Sequence, residues 1–433
     1  MRRIVRVLIL GALVSGTTSA RAPSILADLP APQTNTQGSR GANTPHQQEQ
    51  PYVVLVSFDG FRADYLDRIE TPNFRRVIRQ GVRAERLIPV FPTKTFPNHY
   101  SIASGMFPER HGIVANTFYD PDRDATYGDA VAPGTVEDGT WYRGEPVWVT
   151  AEKQGMVAAT FFWVGSEAAI QGVRPTFWKK IGDRIPREAR VDGVLDWLRT
   201  PAAERPHLVT LYIDDVDGTG HRSGPDGPEL RAAVQAVDRS LGRLLDGVES
   251  LPIRDRVYVV LVSDHGMAAY TPQNYVPLES LIDPTHVRVS DTGPNTYLHV
   301  PGGIAGARAV RDSLNRALRH GRAYLRAEIP ARFHYRADPR IGDVLIIMDE
   351  PWLVGPAALA PSGPAGSHGW DAASPSMGGI FLAMGPAIRK GITIRQVQNI
   401  DIYPFLTELL GLEANPGIDG HPGLVRRLVM ERP

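Results

Sequence analysis

The chain contains no cysteine in 433 residues. That absence excludes a disulfide scaffold, a cysteine nucleophile, an iron–sulfur cluster and a thiolate zinc finger. Net charge is absent too, because 47 Lys and Arg balance 47 Asp and Glu. A general binder of nucleic acid polymers needs a basic surface to displace counterions, so that class is not expected. Lysine is scarce, five of the 47 basic residues, which reflects genome composition rather than a structural demand. There is no internal repeat, and no run of 18 apolar residues, so no stable membrane span is expected in the mature chain. Glycine (42) and proline (37) are plentiful but dispersed, which predicts long ordered loops rather than disorder.

What is present starts with Arg2 and Arg3, an apolar run from Val7 to Val14, and small residues to Ala22. This is the order of a secretory signal, with cleavage after Ala20 or Ala22. Its apolar run is too short for a spanning helix, which needs about 20 residues. Residues 1–22 are therefore read as a signal peptide. Export without cysteine points to a bacterial periplasmic or secreted protein. Residues 23–50 are polar and lack periodicity, which predicts a flexible linker. A single catalytic domain is expected over 51–433, with 266–367 as a small cap inserted in it.

Three continuous apolar runs rich in β-branched residues are Tyr52–Phe58, Leu208–Ile213 and Val257–Ser263. Continuous runs suit strands buried on both faces of a parallel sheet. Residues 156–162 and 380–384 are further strand candidates. Between them Leu230, Val234, Val237, Leu241, Leu244 and Val248 recur at helical spacing, with Pro228 in the first turn. Strands alternating with helices predict an α/β fold, a doubly wound, mostly parallel sheet flanked by helices. In such sheets ligands sit beyond the carboxyl ends of the strands.

Those ends carry chemistry. Asp59 follows the first run, Asp217 and His221 the second, Asp264 and His265 the third. Singly each has an ordinary explanation as a turn or cap. Together, carboxylates gathered without a cation would repel and raise one another's pKa, so a metal centre is expected. Oxygen and imidazole donors suit zinc, with manganese and iron as rivals. Thr95 lies in a Lys-Thr-Phe-Pro-Asn turn ahead of a helical pattern. It is either a helix cap or a hydroxyl nucleophile activated by metal. His99, His111 and His299 are read as structural.

The blocks VSFDGFR, PTKTFPNHYSIASG, HGIVAN, PVWVTAEKQG, DVDGTGHRSGP, SDHGM and GSHGWD occur in that order. Together they resemble the nucleotide pyrophosphatase/phosphodiesterase family of the alkaline phosphatase superfamily, from Val53 to the C-terminal helix. The resemblance implies an alkaline phosphatase-like fold and two zinc ions per chain. One would be held by Asp217, His221 and His368, the other by Asp59, Asp264 and His265 with Thr95 as nucleophile. Asn116 would bind a phosphoryl oxygen together with the Thr95 amide. Three carboxylates against two dications leave one net positive charge, which suits a phosphodiester better than a phosphomonoester. The implied activity is hydrolysis of phosphodiester or phosphoanhydride bonds of nucleotides through a phosphothreonine.

Phe96 and Tyr212 match family positions that flank a nucleobase by stacking. Ile181 stands where many nucleotide-cleaving relatives carry an aromatic. That departure keeps choline-type or lysophospholipid diesters in view as alternative substrates. Phosphomonoesterase activity of the same superfamily is a further alternative, and an exported metal-stabilised binding protein is the alternative outside enzymes. A sulfatase is disfavoured, because neither Cys nor Ser occupies position 95. The 117–142 stretch is read as a lid or a surface insertion. Oligomeric state is not readable.

Overall fold

The computed structural model describes residues 41–430. The expected signal peptide and most of the expected linker lie outside those residues. The last ten residues of that linker, 41–50, are instead packed on the domain. The Asn43 amide accepts the Val157 N–H and donates to the Ala202 and Arg205 carbonyls, at 2.8–3.0 Å. Thr44 then caps a short helix, Pro45–Gln48. Three backbone groups satisfied by one side chain outweigh the polar composition that predicted a coil.

An eight-stranded sheet runs in the order Ile392–Gln398, Val82–Ile88, Gly379–Met384, Val257–Val262, Tyr52–Phe58, Leu208–Ile213, Ala158–Phe161, Phe177–Lys179. Tyr52–Phe58 is central and pairs in parallel with Leu208–Ile213 and Val257–Val262. Every residue of those three strands is buried. That is why they read as continuous apolar runs. Only Gly379–Met384 runs antiparallel to its neighbours in this sheet. The edge strand Ile392–Gln398 is mostly exposed and polar, which hides it from apolar patterning.

Alternate residues of the central strand feed two separate cores. Val53 and Leu55 join Tyr100, Ile102, Trp148 and Phe405 on one face. Val54, Val56 and Phe58 join Phe74, Trp197, Val234 and Leu241 on the other. The Pro228–Glu249 helix presents the apolar stripe expected of it to this second face. Within 266–367 lies a four-stranded antiparallel sheet, ordered Arg288–Asp291, Asn295–His299, Val344–Met348, Gly321–Leu325. The Gly303–Ala317 helix covers it over its own small core. Among the described residues, no helix is long and apolar enough to cross a membrane.

The 117–142 stretch is anchored in the domain rather than detached from it, and its Asp129, Val136, Glu137 and Tyr142 line a pocket beside Thr95. Phe118–Asp120 and Ala125–Tyr127 form a hairpin whose Phe118 and Tyr127 are fully buried and stacked at 4.7 Å. The buried Arg340 guanidinium bonds Asp120 Oδ2 (2.8 Å) and the Gly112 and Trp141 carbonyls (2.9 Å each), tying the hairpin to the end of the second sheet.

Burial also sets an acid limit on stability. It pushes the His207 imidazole down to about 4 and His111 down to about 3. His207 donates from Nδ1 to the Pro51 carbonyl at 2.9 Å and stacks on Tyr52 at 4.1 Å. Unfolded histidine titrates near about 6.5. Below that pH the unfolded chain binds more protons, so this contribution is full above it and lost as pH falls toward about 4. The urea midpoint is expected to drop between pH 7 and pH 5, and His207→Gln to flatten that dependence. An equal pH dependence in wild type and variant would count against this cause.

Candidate metal centre and substrate pocket

Three parallel strands end at one edge, and each hands over an acid. Asp59 follows Phe58 and is 1% exposed. Asp264 and His265 follow Val257–Val262 and are also buried. Asp217 and His221 lie one turn apart on the Asp215–Ser223 helix that follows Leu208–Ile213. Gly60 makes the convergence sterically feasible: its φ is +65°, and a Cβ there would sit 2.8 Å from Asp217 Cα.

His368 arrives from a loop about a hundred residues further on. Ala365–Ser367 pairs antiparallel with Ala268–Tyr270, which follows the His265 strand end. Thr93 grips the same loop twice: its hydroxyl accepts the Gly369 N–H (2.9 Å) and its carbonyl accepts from His368 Nδ1 (2.8 Å). Thr93 is two residues ahead of Thr95, so one turn places both the loop and the hydroxyl. Asn98 locks that turn, accepting from Val90 N and donating to the Pro92 and Lys94 carbonyls. Thr95 itself opens the Thr95–Ser104 helix.

The expected donors form one contiguous cluster. His265 Nε2 lies 3.2 Å from Thr95 Oγ1, 2.9 Å from Asp264 Oδ2 and 3.5 Å from Asp59 Oδ1. His221 Nε2 lies 3.1 Å from His368 Nε2 and 3.4 Å from Asp217 Oδ1; His368 Nε2 is 3.6 Å from the same oxygen. The two halves adjoin, with the His265 and His368 rings stacked at 3.5 Å. The tightest triads divide differently from the family pattern: Asp217 with His265 and His368, and Asp59 with His99 and Asp264. His265 sits at the seam and belongs geometrically to both halves.

The donor chemistry fits cations and little else. Asp59 Oδ1, Asp217 Oδ1 and Asp264 Oδ2 are buried without a hydrogen-bond donor. Nδ1 of His221, His265 and His368 faces the Gly366, Gly266 and Thr93 carbonyl respectively, at 2.8–3.0 Å. A carbonyl only accepts, so Nδ1 of each ring carries a proton and Nε2 is the atom turned toward the carboxylates; burial lowers the His265 imidazole, but the adjoining Asp264 outweighs it and holds that ring above its ordinary value. Lone pairs facing lone pairs in a buried site are costly unless positive charge lies between them. The titration behaviour shows the same crowding. Burial, then the Asp264 and Asp217 charges, hold the Asp59 carboxyl well above its usual range. Burial and the neighbouring His265 and His221 hold His368 well below its own. Asp264 goes the other way, since His265 and His99 together outweigh its burial.

His99 is more than packing. It is fully buried, Ser57 Oγ lies 2.8 Å from its Nε2, and its Nδ1–H donates to the Thr95 carbonyl at 3.0 Å. Asp264 Oδ2 is 3.3 Å from the same Nδ1. The ring thus fixes the first turn of the Thr95 helix against the metal-facing carboxylate. Its spacing of four residues after Thr95 is the sequence signal for that contact.

Beside Thr95 a pocket is walled by Phe96, Tyr142, Phe162, Trp163, Ile181 and Tyr212, with Asp129, Glu137, Glu167 and Lys180 also lining it. Phe162 holds φ at +59°, a strained value for a bulky residue, and turns the chain into this wall. Tyr212 has a second contact unforeseen in sequence: its hydroxyl donates to Asp59 Oδ2 at 2.5 Å. Ile181 is 48% exposed and, with Val136 and Val164, forms the aliphatic part of a lining that is mostly aromatic on its apolar side. Asn116 Oδ1 accepts the Phe96 N–H at 2.9 Å, which fixes its amide beside the Thr95 turn.

The sequence profile of type I phosphodiesterase / nucleotide pyrophosphatase matches residues 53–371. The chain belongs to this family. It is 36% identical over 394 residues to ectonucleotide pyrophosphatase/phosphodiesterase family member 1 of Rattus norvegicus, covering 88% of this chain and 43% of that protein. It is 34% identical over 403 residues to the venom phosphodiesterase CdcPDE of Crotalus durissus collilineatus, covering 90% and 48%. The chain thus spans less than half the length of these curated relatives. An uncharacterized pyrophosphatase/phosphodiesterase of Schizosaccharomyces pombe is 36% identical over 394 residues, with 86% of this chain and 80% of that protein covered. Among solved structures, an inactive form of murine ectonucleotide pyrophosphatase / phosphodiesterase 5 in complex with AMP superposes with a TM-score of 0.83 at 32% identity. That match covers 88% of this chain and all of the murine one. The fold of the family member is accordingly α/β with a mainly parallel sheet, as its sequence predicts.

Two outcomes follow from this geometry. Removing divalent ions with a chelator is expected to lower the melting temperature, because three clustered carboxylates are left to repel; an unchanged temperature would exclude an ion from the cluster. His99→Ala is expected to reduce kcat by about 10–100-fold with metal content retained, the usual range for a residue that orients ligands. His99→Asn, which keeps a donor, recovers part of that loss, whereas a purely steric role for the ring predicts no recovery.

Proposed function

We propose that this protein is a two-zinc phosphodiesterase and nucleotide pyrophosphatase that works through a phosphothreonine. The observation that carries the reading is the Thr95 hydroxyl, 3.2 Å from His265 Nε2 and at the edge of a cluster of three donor-less carboxylate oxygens. Asp217, His221 and His368 would hold one ion, and Asp59, Asp264 and His265 the other. When bound, the ions supply a lowered hydroxyl pKa and positive charge against the phosphoryl oxygens and the departing oxygen.

The chain's own groups do the rest. The Thr95 oxygen forms the new bond to phosphorus, the bond to the leaving alcohol or phosphate breaks, and the hydroxyl proton passes by way of solvent to the departing oxygen. Water then attacks the phosphothreonine, which releases the phosphorylated product and restores the hydroxyl. The Thr95 N–H, at the first helical position, has no intrahelical acceptor and is available to a phosphoryl oxygen together with Asn116. His99 holds the Thr95 carbonyl and so the direction of attack. Tyr212 keeps Asp59 oriented through its hydroxyl. Phe96 and the neighbouring aromatic walls exclude water and offer a face to a planar group on the substrate.

The pocket favours a nucleotide through its aromatic lining, and the AMP-bound murine relative supports that class. Ile181 is the one feature that favours a second class, a choline-type or lipid diester, because it removes an aromatic wall. Export is proposed as well, on the N-terminal pattern and on relatives named as ectoenzymes and venom enzymes.

Thr95→Ala is expected to cut hydrolysis of bis-p-nitrophenyl phosphate by about 1,000-fold or more with both metals retained. Retained turnover in that variant would refute the nucleophile. Wild type is expected to favour bis-p-nitrophenyl phosphate over p-nitrophenyl phosphate; the reverse order would make it a phosphomonoesterase.

A further inference from the structure

A second cleft lies away from Thr95, between the Phe118–Tyr127 hairpin and one end of the second sheet. It encloses about 540 Å³ and shares no lining residue with the Thr95 pocket. Arg288 opens the edge strand and stands opposite His299 in antiparallel register. Its guanidinium carbon lies 4.1 Å from the Tyr119 ring centroid, and that ring meets the His299 imidazole edge-on at 5.0 Å. Arg326 follows the strand at the other edge and lines the same cleft.

The charges facing this space do not cancel. Among the described residues neither Arg288 nor Arg326 has a carboxylate within 4.0 Å. Neighbouring arginines are matched: Arg311 pairs with Glu328, Arg332 with Asp371 and Arg340 with Asp120. The one acid in the lining, Asp343, is occupied by the Val300 N–H at 2.8 Å. His286 is paired with Asp283 at 3.0 Å. Two guanidinium groups against one carboxylate leave the cleft net positive. His299 Nε2 is buried there without any hydrogen-bond partner. Burial, opposed by Asp343 and reinforced by Arg288 and Arg326, pushes this imidazole down to about 4, so at neutral pH it is an uncharged ring with one proton to donate.

We propose that the cleft binds a phosphate-bearing anion between Arg288 and Arg326, beside the His299 ring. Guanidinium forks match phosphoryl oxygens geometrically, and two arginines without an ion-pair partner outnumber the single carboxylate, Asp343, of the lining. The two arginines stand on strands three spacings apart, about 14 Å at the usual strand separation. That span suits a ligand with more than one phosphoryl group, or a phosphate attached to a larger body, better than a single small ion. Tyr119 borders the cleft on the side of the hairpin. The inference needs neither Thr95 nor the metals and stands apart from the catalytic reading.

The test is calorimetric titration of the metal-loaded protein with inorganic pyrophosphate, and in separate arms with inorganic phosphate and AMP. The comparison is Arg288→Gln/Arg326→Gln. Wild type is expected to show one more binding event than the double variant, or an affinity at least about tenfold higher for it, together with a steeper salt dependence. The arm with the largest loss identifies the ligand. Turnover of bis-p-nitrophenyl phosphate without added anion stays within twofold, roughly, because neither arginine lines the Thr95 pocket. Unchanged titrations in all three arms overturn the proposal. So does equal loss in Arg288→Lys/Arg326→Lys accompanied by a fallen melting temperature, since that marks a role in folding rather than in charge.

Discussion

Three carboxylates gathered at one sheet edge, Asp59 and Asp264 fully buried and Asp217 partly so, are the constraint around which this molecule is arranged. Desolvation and mutual repulsion both oppose that assembly. The surroundings answer by holding two of the carboxylates and the three histidines in place from behind. Backbone carbonyls fix the Nδ1 side of three histidines, the Gly60 N–H donates to Asp264 Oδ1 at 3.1 Å, and Tyr212 donates to Asp59. The atoms left without partners point inward, toward one another. A fold that spends so much hydrogen bonding on the outer faces of its ligands is shaped to receive positive charge at their inner faces.

The same interaction explains what sequence reading reaches and where it stops. Tyr52–Phe58, Leu208–Ile213 and Val257–Val262 are readable because burial on both faces leaves an uninterrupted apolar signature, and their terminal acids follow by position. His368 has no such signature. It depends on a Thr93 contact between segments some 275 positions apart, which only a family resemblance could anticipate. Ile392–Gln398 is invisible for the opposite reason, being exposed along almost its whole length. The ordered stretch 41–50 escapes pattern reading because a single Asn43 amide anchors it, and one polar side chain leaves no periodicity.

The pocket shows how one residue can serve two neighbourhoods. Tyr212 lines the Thr95 pocket with its ring and restrains Asp59 with its hydroxyl, so pocket shape and carboxylate geometry meet in one side chain. The hairpin that carries Tyr119 and Tyr127 behaves similarly. Its core face supports Phe96, its outer face borders the arginine cleft, and Arg340 binds it to the second sheet. Sequence reading leaves this stretch as a lid or a surface insertion. The structure places it between two cavities, with Phe118, Tyr127 and Trp141 buried against one another.

The grip of Thr93 on the loop of His368 sets an order of events. Residues from position 59 to position 368 must all be in place before the cluster can chelate, so capture of ions comes late, when nearly the whole chain has already folded. An ion held by these donors would close a finished structure as a latch does, instead of seeding it, since its ligands come from distant parts of the domain.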